Sequence, residues 1–191
     1  MNLITFVFLI LVSASAYQPI WYEDIALDRH NIYRRMHDYA DLEYSDTLGA
    51  LALMCAKYYS KIHKIDHSCI YKFLHGENLA FFGRNTGAPE ALDSLVDAID
   101  GWYAESYDYD YEQPQSSTSA EIYHFTQMIW NSTFQMGFGI FRNYTSKRTY
   151  VVALYEPKGN ILIRPPDSFK WFRGNVTAPV MSFQNQDYDM Y

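Results

Sequence analysis

Three of the six histidines, His67, His75 and His124, stand at breaks in the apolar pattern, with Glu77, Glu105 and Glu121 near them along the chain. Imidazole nitrogens and carboxylate oxygens suit two kinds of chemistry. Together they can hold a divalent ion such as Zn2+, and they can pass protons near neutral pH. None of these histidines has the local spacing of a metalloprotease helix or a zinc finger, so spacing alone carries little weight. Taken singly, each reads as a surface or hydrogen-bonded residue. Other chemistries lack their residues. There is no G-x-S-x-G elbow and no glycine-rich phosphate loop, and nothing marks a pair among the 22 acidic residues for glycoside cleavage. A cysteine nucleophile would have to be Cys55 or Cys69, the two cysteines present.

Elements able to position these residues are legible in the periodicity. Ile25 to Met36 has apolar positions at 25, 26, 32, 33 and 36, the spacing of an amphipathic helix. Ser45 reads as the cap of a second helix carrying Leu48, Leu51, Ala52, Cys55, Ala56, Tyr59 and Ile62 at i, i+3, i+4, i+7. It ends before the loop that holds His67 and Cys69. Asn78 to Phe82 suits a buried strand. Gly87-Ala88-Pro89 opens a third helix with Leu92, Leu95, Val96, Ile99, Trp102 and Tyr103 on one face. Tyr107 to Ser119 reads as a loop with no core of its own, and Phe125 to Trp130 is either a strand or a helical turn. Met136 to Phe141 and Thr149 to Tyr155 form an antiparallel pair about a turn at 143–147. From Arg164 onward the pattern is irregular. Helices flanking a small, mostly antiparallel sheet place the chain in the α+β class.

The chain has 191 residues, enough for one domain, and 49% of them are hydrophobic. A core of useful size is possible without metal or many disulfides. The net charge of −7 opposes nucleic acid and anionic bilayers as default partners, since both attract positive surfaces. Residues 1–16 read as a signal peptide: Leu3 to Val12 is apolar apart from Thr5, and Ala14-Ser15-Ala16 is a small-x-small cleavage pattern. That run is far shorter than the ~20 residues that span a bilayer, so no transmembrane segment is expected. The expected location is extracellular. Sequons at Asn131, Asn143 and Asn175 agree with export and mark candidate glycan sites. In an oxidising compartment, a bridge between Cys55 and Cys69 would add roughly 3 kcal/mol on the loop-entropy model. Two buried thiols are the alternative. The tail at 182–191 reads as disordered.

Five short motifs then carry a family resemblance. They are His30-Asn31-Ile32-Tyr33-Arg34, Gly76-Glu77-Asn78-Leu79-Ala80, Trp102-Tyr103-Ala104-Glu105, His124-Phe125-Thr126-Gln127-Met128-Ile129-Trp130 and Tyr155-Glu156-Pro157-Lys158-Gly159-Asn160-Ile161. In this order they resemble the CAP superfamily of cysteine-rich secretory, antigen 5 and pathogenesis-related proteins, over residues 17–181. The cysteine-poor pattern, with Gly137-Phe138-Gly139 and Ala153, is most similar to the Golgi-associated pathogenesis-related branch. The resemblance implies a three-layer α-β-α sandwich with a central cleft. It also implies a cleft tetrad of His67, Glu77, Glu105 and His124, with His67 and His124 as metal ligands.

Two functions follow as expectations. The preferred one is a secreted binding protein whose cleft holds a divalent cation or a small apolar ligand, such as a sterol or fatty acid, or which meets an extracellular receptor. The other is a metal-dependent hydrolase, a peptidase, with Glu77 or Glu105 as its general base. CAP domains as a family have no agreed enzymatic activity, and Pro114 to Tyr123 departs from the sterol-binding loop of its relatives.

Overall fold

A computed structural model describes residues 22–83, 86–119, 121–165 and 168–180. The expected signal peptide at 1–16 and the expected disordered tail at 182–191 lie outside the described residues. In chain order the elements are α1 (Tyr22–Met36), β1 (Glu43–Tyr44), α2 (Asp46–Ile62), β2 (Gly76–Gly83), α3 (Ala91–Ala104), α4 (Tyr123–Met128), β3 (Gln135–Asn143), β4 (Arg148–Glu156) and α5 (Lys170–Asn175). Short 3-10 turns occur at Ile70–Lys72, Glu105–Asp108 and Pro114–Ser119.

The sheet has the order β1-β3-β4-β2. β4 pairs antiparallel with β3, from Gln135↔Glu156 to Asn143↔Arg148, and with β2, from Gly76↔Tyr155 to Gly83↔Arg148. β1 adds two parallel residues beside β3. Strand alternation divides β4 between two cores. Tyr150, Val152 and Leu154 pack with Leu48, Ala52, Cys55 and Tyr59 of α2, whereas Val151, Ala153 and Tyr155 face Leu95, Ile99, Trp102, Phe125 and Met128. Helices therefore cover both faces of the central strand, the α-β-α sandwich that the resemblance implies.

Several local expectations changed. Of the two alternatives at Phe125 to Trp130, the helical one holds as far as Met128, the end of α4, and the strand expected at Asn78 to Phe82 runs from Gly76 to Gly83. The third helix starts at Ala91 rather than at Gly87, because the Pro89 carbonyl is engaged by the Thr149 hydroxyl at 2.7 Å. Residues 107–119 are not a coreless loop. Tyr109 is buried, and it and Tyr111 set their rings edge-on around Phe125. Beyond Arg164, Phe172 of α5 is buried edge-on against Trp130. Aromatic contacts order both stretches; periodicity does not register such contacts.

Candidate functional site

His67 follows α2 in a tight loop, where its backbone is left-handed at φ 60. A disulfide between Cys55 and Cys69, with Cα atoms 5.5 Å apart, ties this loop to the middle of α2. Closing that loop contributes stability of about 3 kcal/mol on the chain-entropy model. The His67 Nδ1 meets Glu77 Oε2 at 2.8 Å. Glu77 is the second residue of β2, and its side chain is only 2% exposed. Such a burial needs partners. Tyr59 supplies one, donating its hydroxyl to both Glu77 oxygens at 3.0 and 3.1 Å while accepting the Cys69 N–H at 3.1 Å. Burial, with the Glu77 carboxylate beside it, pushes the Tyr59 hydroxyl well above its ordinary value, so it remains a donor.

The second pair is built differently. Glu105 closes α3, and its Oε2 accepts the backbone N–H groups of His124 and Phe125 at 3.0 and 3.1 Å. It thus serves the free N–H groups at the start of α4. Its other oxygen meets His124 Nδ1 at 2.5 Å. Trp102, three residues before Glu105, stacks on the His124 ring at 6.1 Å and 22°.

Both pairs face one cleft of about 510 Å³, lined by His67, Glu77, Asn78, Tyr123, His124 and Asn160, with Glu121 at its wall. Glu105 stands behind His124 rather than on the lining. His75 belongs elsewhere: its Nδ1 pairs with Glu156 at 2.5 Å. In both site histidines a carboxylate holds the Nδ1 proton, which leaves the Nε2 lone pair as the coordinating atom. Among the described residues no three His, Cys, Asp or Glu side chains form a ligand set. A cation in this cleft would rest on two imidazoles, with its remaining positions open to water or ligand. The donor chemistry fits a divalent ion of zinc type.

A buried chain of hydrogen bonds fixes the cleft wall. Asn78 donates to the His124 carbonyl at 2.9 Å and to the Tyr155 hydroxyl at 3.3 Å. Tyr155 in turn reaches His30 Nε2 at 2.8 Å, and His30 Nδ1 donates to the Ala26 carbonyl at 2.7 Å. Burial, reinforced by the Arg34 charge, lowers His30 to about 4, so its neutral ring accepts from Tyr155. Asn160, left-handed at φ 55, accepts from Thr126 Oγ1 at 2.6 Å and donates to the Tyr123 carbonyl at 2.7 Å. The motif around His124 and the motif ending at Asn160 are therefore two halves of one wall. Asn78 and Asn160 stand inside motifs read from the sequence without being given a role there. Tyr59 gave no such signal, since it shares the apolar face of α2.

The sequon asparagines differ. Asn131 is exposed and Asn143 is half-buried at the end of β3. Asn175 is buried, with Nδ2 donating to the Trp171 carbonyl at 2.9 Å and Oδ1 accepting from Ser132 N and Oγ at 3.0 and 2.6 Å. Asn175 is thus the most enclosed of the three acceptor amides. Among the described residues no helix is long and apolar enough to cross a membrane.

Known proteins resemble this chain over most of its length. PRY2 of Saccharomyces cerevisiae is 33% identical over 137 residues, covering 71% of this chain and 37% of that protein. The chain thus spans little more than a third of that relative. The human Golgi-associated plant pathogenesis-related protein 1 is 29% identical over 154 residues, covering 80% of this chain and 90% of the human one. Among solved structures, that of BmVAL-1 superposes with a TM-score of 0.65 at 19% identity, covering 78% of this chain and 82% of the other. The family model described as "Cysteine-rich secretory protein family", or CAP, matches residues 27–155, a span that contains four of the five motifs whole, the first residue of the fifth, and every member of the His/Glu tetrad. With sandwich, motifs and family match in agreement, this chain belongs to the CAP family.

Proposed function

We propose that this chain is a secreted binding protein whose cleft takes one divalent cation, Zn2+ by donor type, on Nε2 of His67 and His124. One observation carries the reading: two imidazoles on one cleft, each held at Nδ1 by a carboxylate at 2.8 or 2.5 Å. When bound, the ion supplies a Lewis-acid position for an oxygen of an incoming ligand. Glu77 and Glu105 orient the rings. Both glutamates are already committed, one to Tyr59 and His67, the other to α4 and His124, which favours binding over hydrolysis. The polar lining suits a cation better than a sterol or fatty acid. Exposed Ile70, Phe73 and Leu74 follow His67, and exposed Ile161, Leu162 and Ile163 follow Asn160. Such apolar side chains beside a polar cleft suit a protein receptor. Export agrees with the disulfide and with the secretory character named for the family.

Calorimetric titration with Zn2+ tests the cleft. One site per chain is expected, weakened about 10- to 100-fold in Glu105→Gln and in Glu77→Gln, and absent in His124→Ala. Binding by His124→Ala equal to the parent's would refute the reading. Zinc-dependent turnover of peptides that vanishes in His124→Ala would install the hydrolase instead.

A further inference from the structure

A second concavity lies on the opposite side of the sheet from the α1–α3 layer. A groove of about 870 Å³ runs between the C-terminal half of α2 and the β3–β4 hairpin, within the size range of small-molecule sites. Met54, Tyr58, Tyr71 and Phe141 give it an apolar, largely aromatic floor, and Asn143 and Thr145 form part of its wall. Those last two are the first and third residues of the Asn143-Tyr144-Thr145 sequon. The Asn143 side chain is directed across the groove: Nδ2 donates to Ser60 Oγ of α2 at 2.7 Å, while Oδ1 accepts the Ser146 N–H at 2.9 Å. The hairpin turn itself is open, with Tyr144 71% exposed.

We propose that Asn143 carries an N-linked glycan and that the groove seats its first two N-acetylglucosamine rings on the Tyr58, Tyr71 and Phe141 floor. The inference rests on the export half of the proposed function and not on the cation. In the transfer, Asn143 Nδ2 bonds to C1 of the first sugar of a lipid-diphosphate-linked oligosaccharide. The C1–O bond to the diphosphate breaks, and the amide proton leaves with the lipid diphosphate. No oxidation or reduction is involved. The attached sugar starts at the groove wall, so docking costs little additional ordering. Flat aromatic faces meet the apolar faces of the sugar rings, and Lys57 and Lys61 on the same lining offer hydrogen bonds to their hydroxyls. Asn131 is exposed too, but it does not line this groove.

The test uses the full chain expressed in a eukaryotic secretory host, with peptide mapping of Asn143 and thermal unfolding of three proteins. Thr145→Ala removes the acceptor signal while leaving Asn143 and its bonds to Ser60 and Ser146. Tyr71→Ala removes floor and keeps the sequon. Asn143 is expected to be occupied in the secreted parent, and Thr145→Ala to melt about 2–4 °C lower. In the Tyr71→Ala background Thr145→Ala should give no further loss. Enzymatically deglycosylated parent and Thr145→Ala should melt together, which separates the sugar from the threonine methyl and hydroxyl. Secreted protein with a bare Asn143 overturns the inference and leaves export intact. Equal melting of the glycosylated parent and Thr145→Ala overturns the docking.

Discussion

Replacing Arg34 by Met is expected to destabilise the fold by about 2–5 kcal/mol, since each buried carbonyl left without a donor costs about 1–3 kcal/mol. Arg34 lies on α1, is 1% exposed, and among the described residues forms no ion pair with a carboxylate. Its guanidinium instead donates to four carbonyls: Nε to Ala40 at 2.8 Å, Nη1 to Met128 and Trp130 at 3.2 and 3.0 Å, and Nη2 to Thr133 at 3.0 Å. Burial lowers its affinity for the proton to a pKa of about 10, still far above neutral, so the cation persists. Five donors in a rigid fork can satisfy four oxygens at once; a lysine cannot. Met restores the apolar stem but leaves the buried Met128 and Thr133 carbonyls without the Arg34 donor, while Trp130 keeps only the Thr133 N–H and exposed Ala40 turns to water. Urea unfolding followed by tryptophan fluorescence measures the loss. The Met128 carbonyl ends α4, the helix that carries His124, and that of Trp130 follows it, so the same substitution should also weaken zinc binding. A loss below about 1 kcal/mol would mean that these carbonyls find other donors.

The other large effect is expected at the contact between sheet and α2. A Cβ on Gly139 would sit 2.2 Å from Leu53 N and 2.4 Å from Ala52 C, and one on Gly137 would sit 2.1 Å from Gly49 N. These are backbone atoms of a helix, which cannot turn aside as a side chain can. Gly139→Val must therefore push α2 off β3, opening the core formed by Leu48, Ala52 and Tyr59 with Val152 and Leu154. We expect a loss of about 3 kcal/mol or more, at or beyond the upper end of ordinary overpacking. Gly101→Ala, in the interior of α3 with open space around its Cβ, is the matched control. It should be neutral or gain up to about 1 kcal/mol from helix propensity.

These glycines show what was legible in the sequence and what was not. The alternation of β3 and β4 and the apolar stripe of α2 marked those elements, because one-sided burial imposes a period. The closeness of the two layers left no mark on period, only glycines at alternate positions, 137 and 139. The tetrad divides in the same way. Nothing in the spacing of His67, Glu77, Glu105 and His124 brings them together; the resemblance carried by the motifs around Glu77, Glu105 and His124 implied the set, with His67 upstream of the Gly76 motif, because each pair closes only through tertiary structure. Tyr59, which holds Glu77, was hidden because a helix face that buries a ring looks the same whether or not its hydroxyl finds a carboxylate. Arg34 stood in a motif as a charged residue on an amphipathic helix, and its burial depends on carbonyls from a stretch nearly a hundred residues away. The 107–119 stretch was misread for a related reason: Tyr109 and Tyr111 are ordered by Phe125 of α4 and by His37, which are distant in sequence.

The claim on which the functional reading stands is that His67 and His124 are held at Nδ1 and present Nε2 to one shared ion. Long-range 1H–15N correlation spectra of the imidazole rings, recorded during a Zn2+ titration, test it most directly. Before zinc, both rings should show the proton on Nδ1. At one equivalent, the Nε2 resonances of both should move together, with His30, buried and bonded at both nitrogens, unchanged. Movement of one ring alone, or of the Nδ1 resonances, would contradict the account.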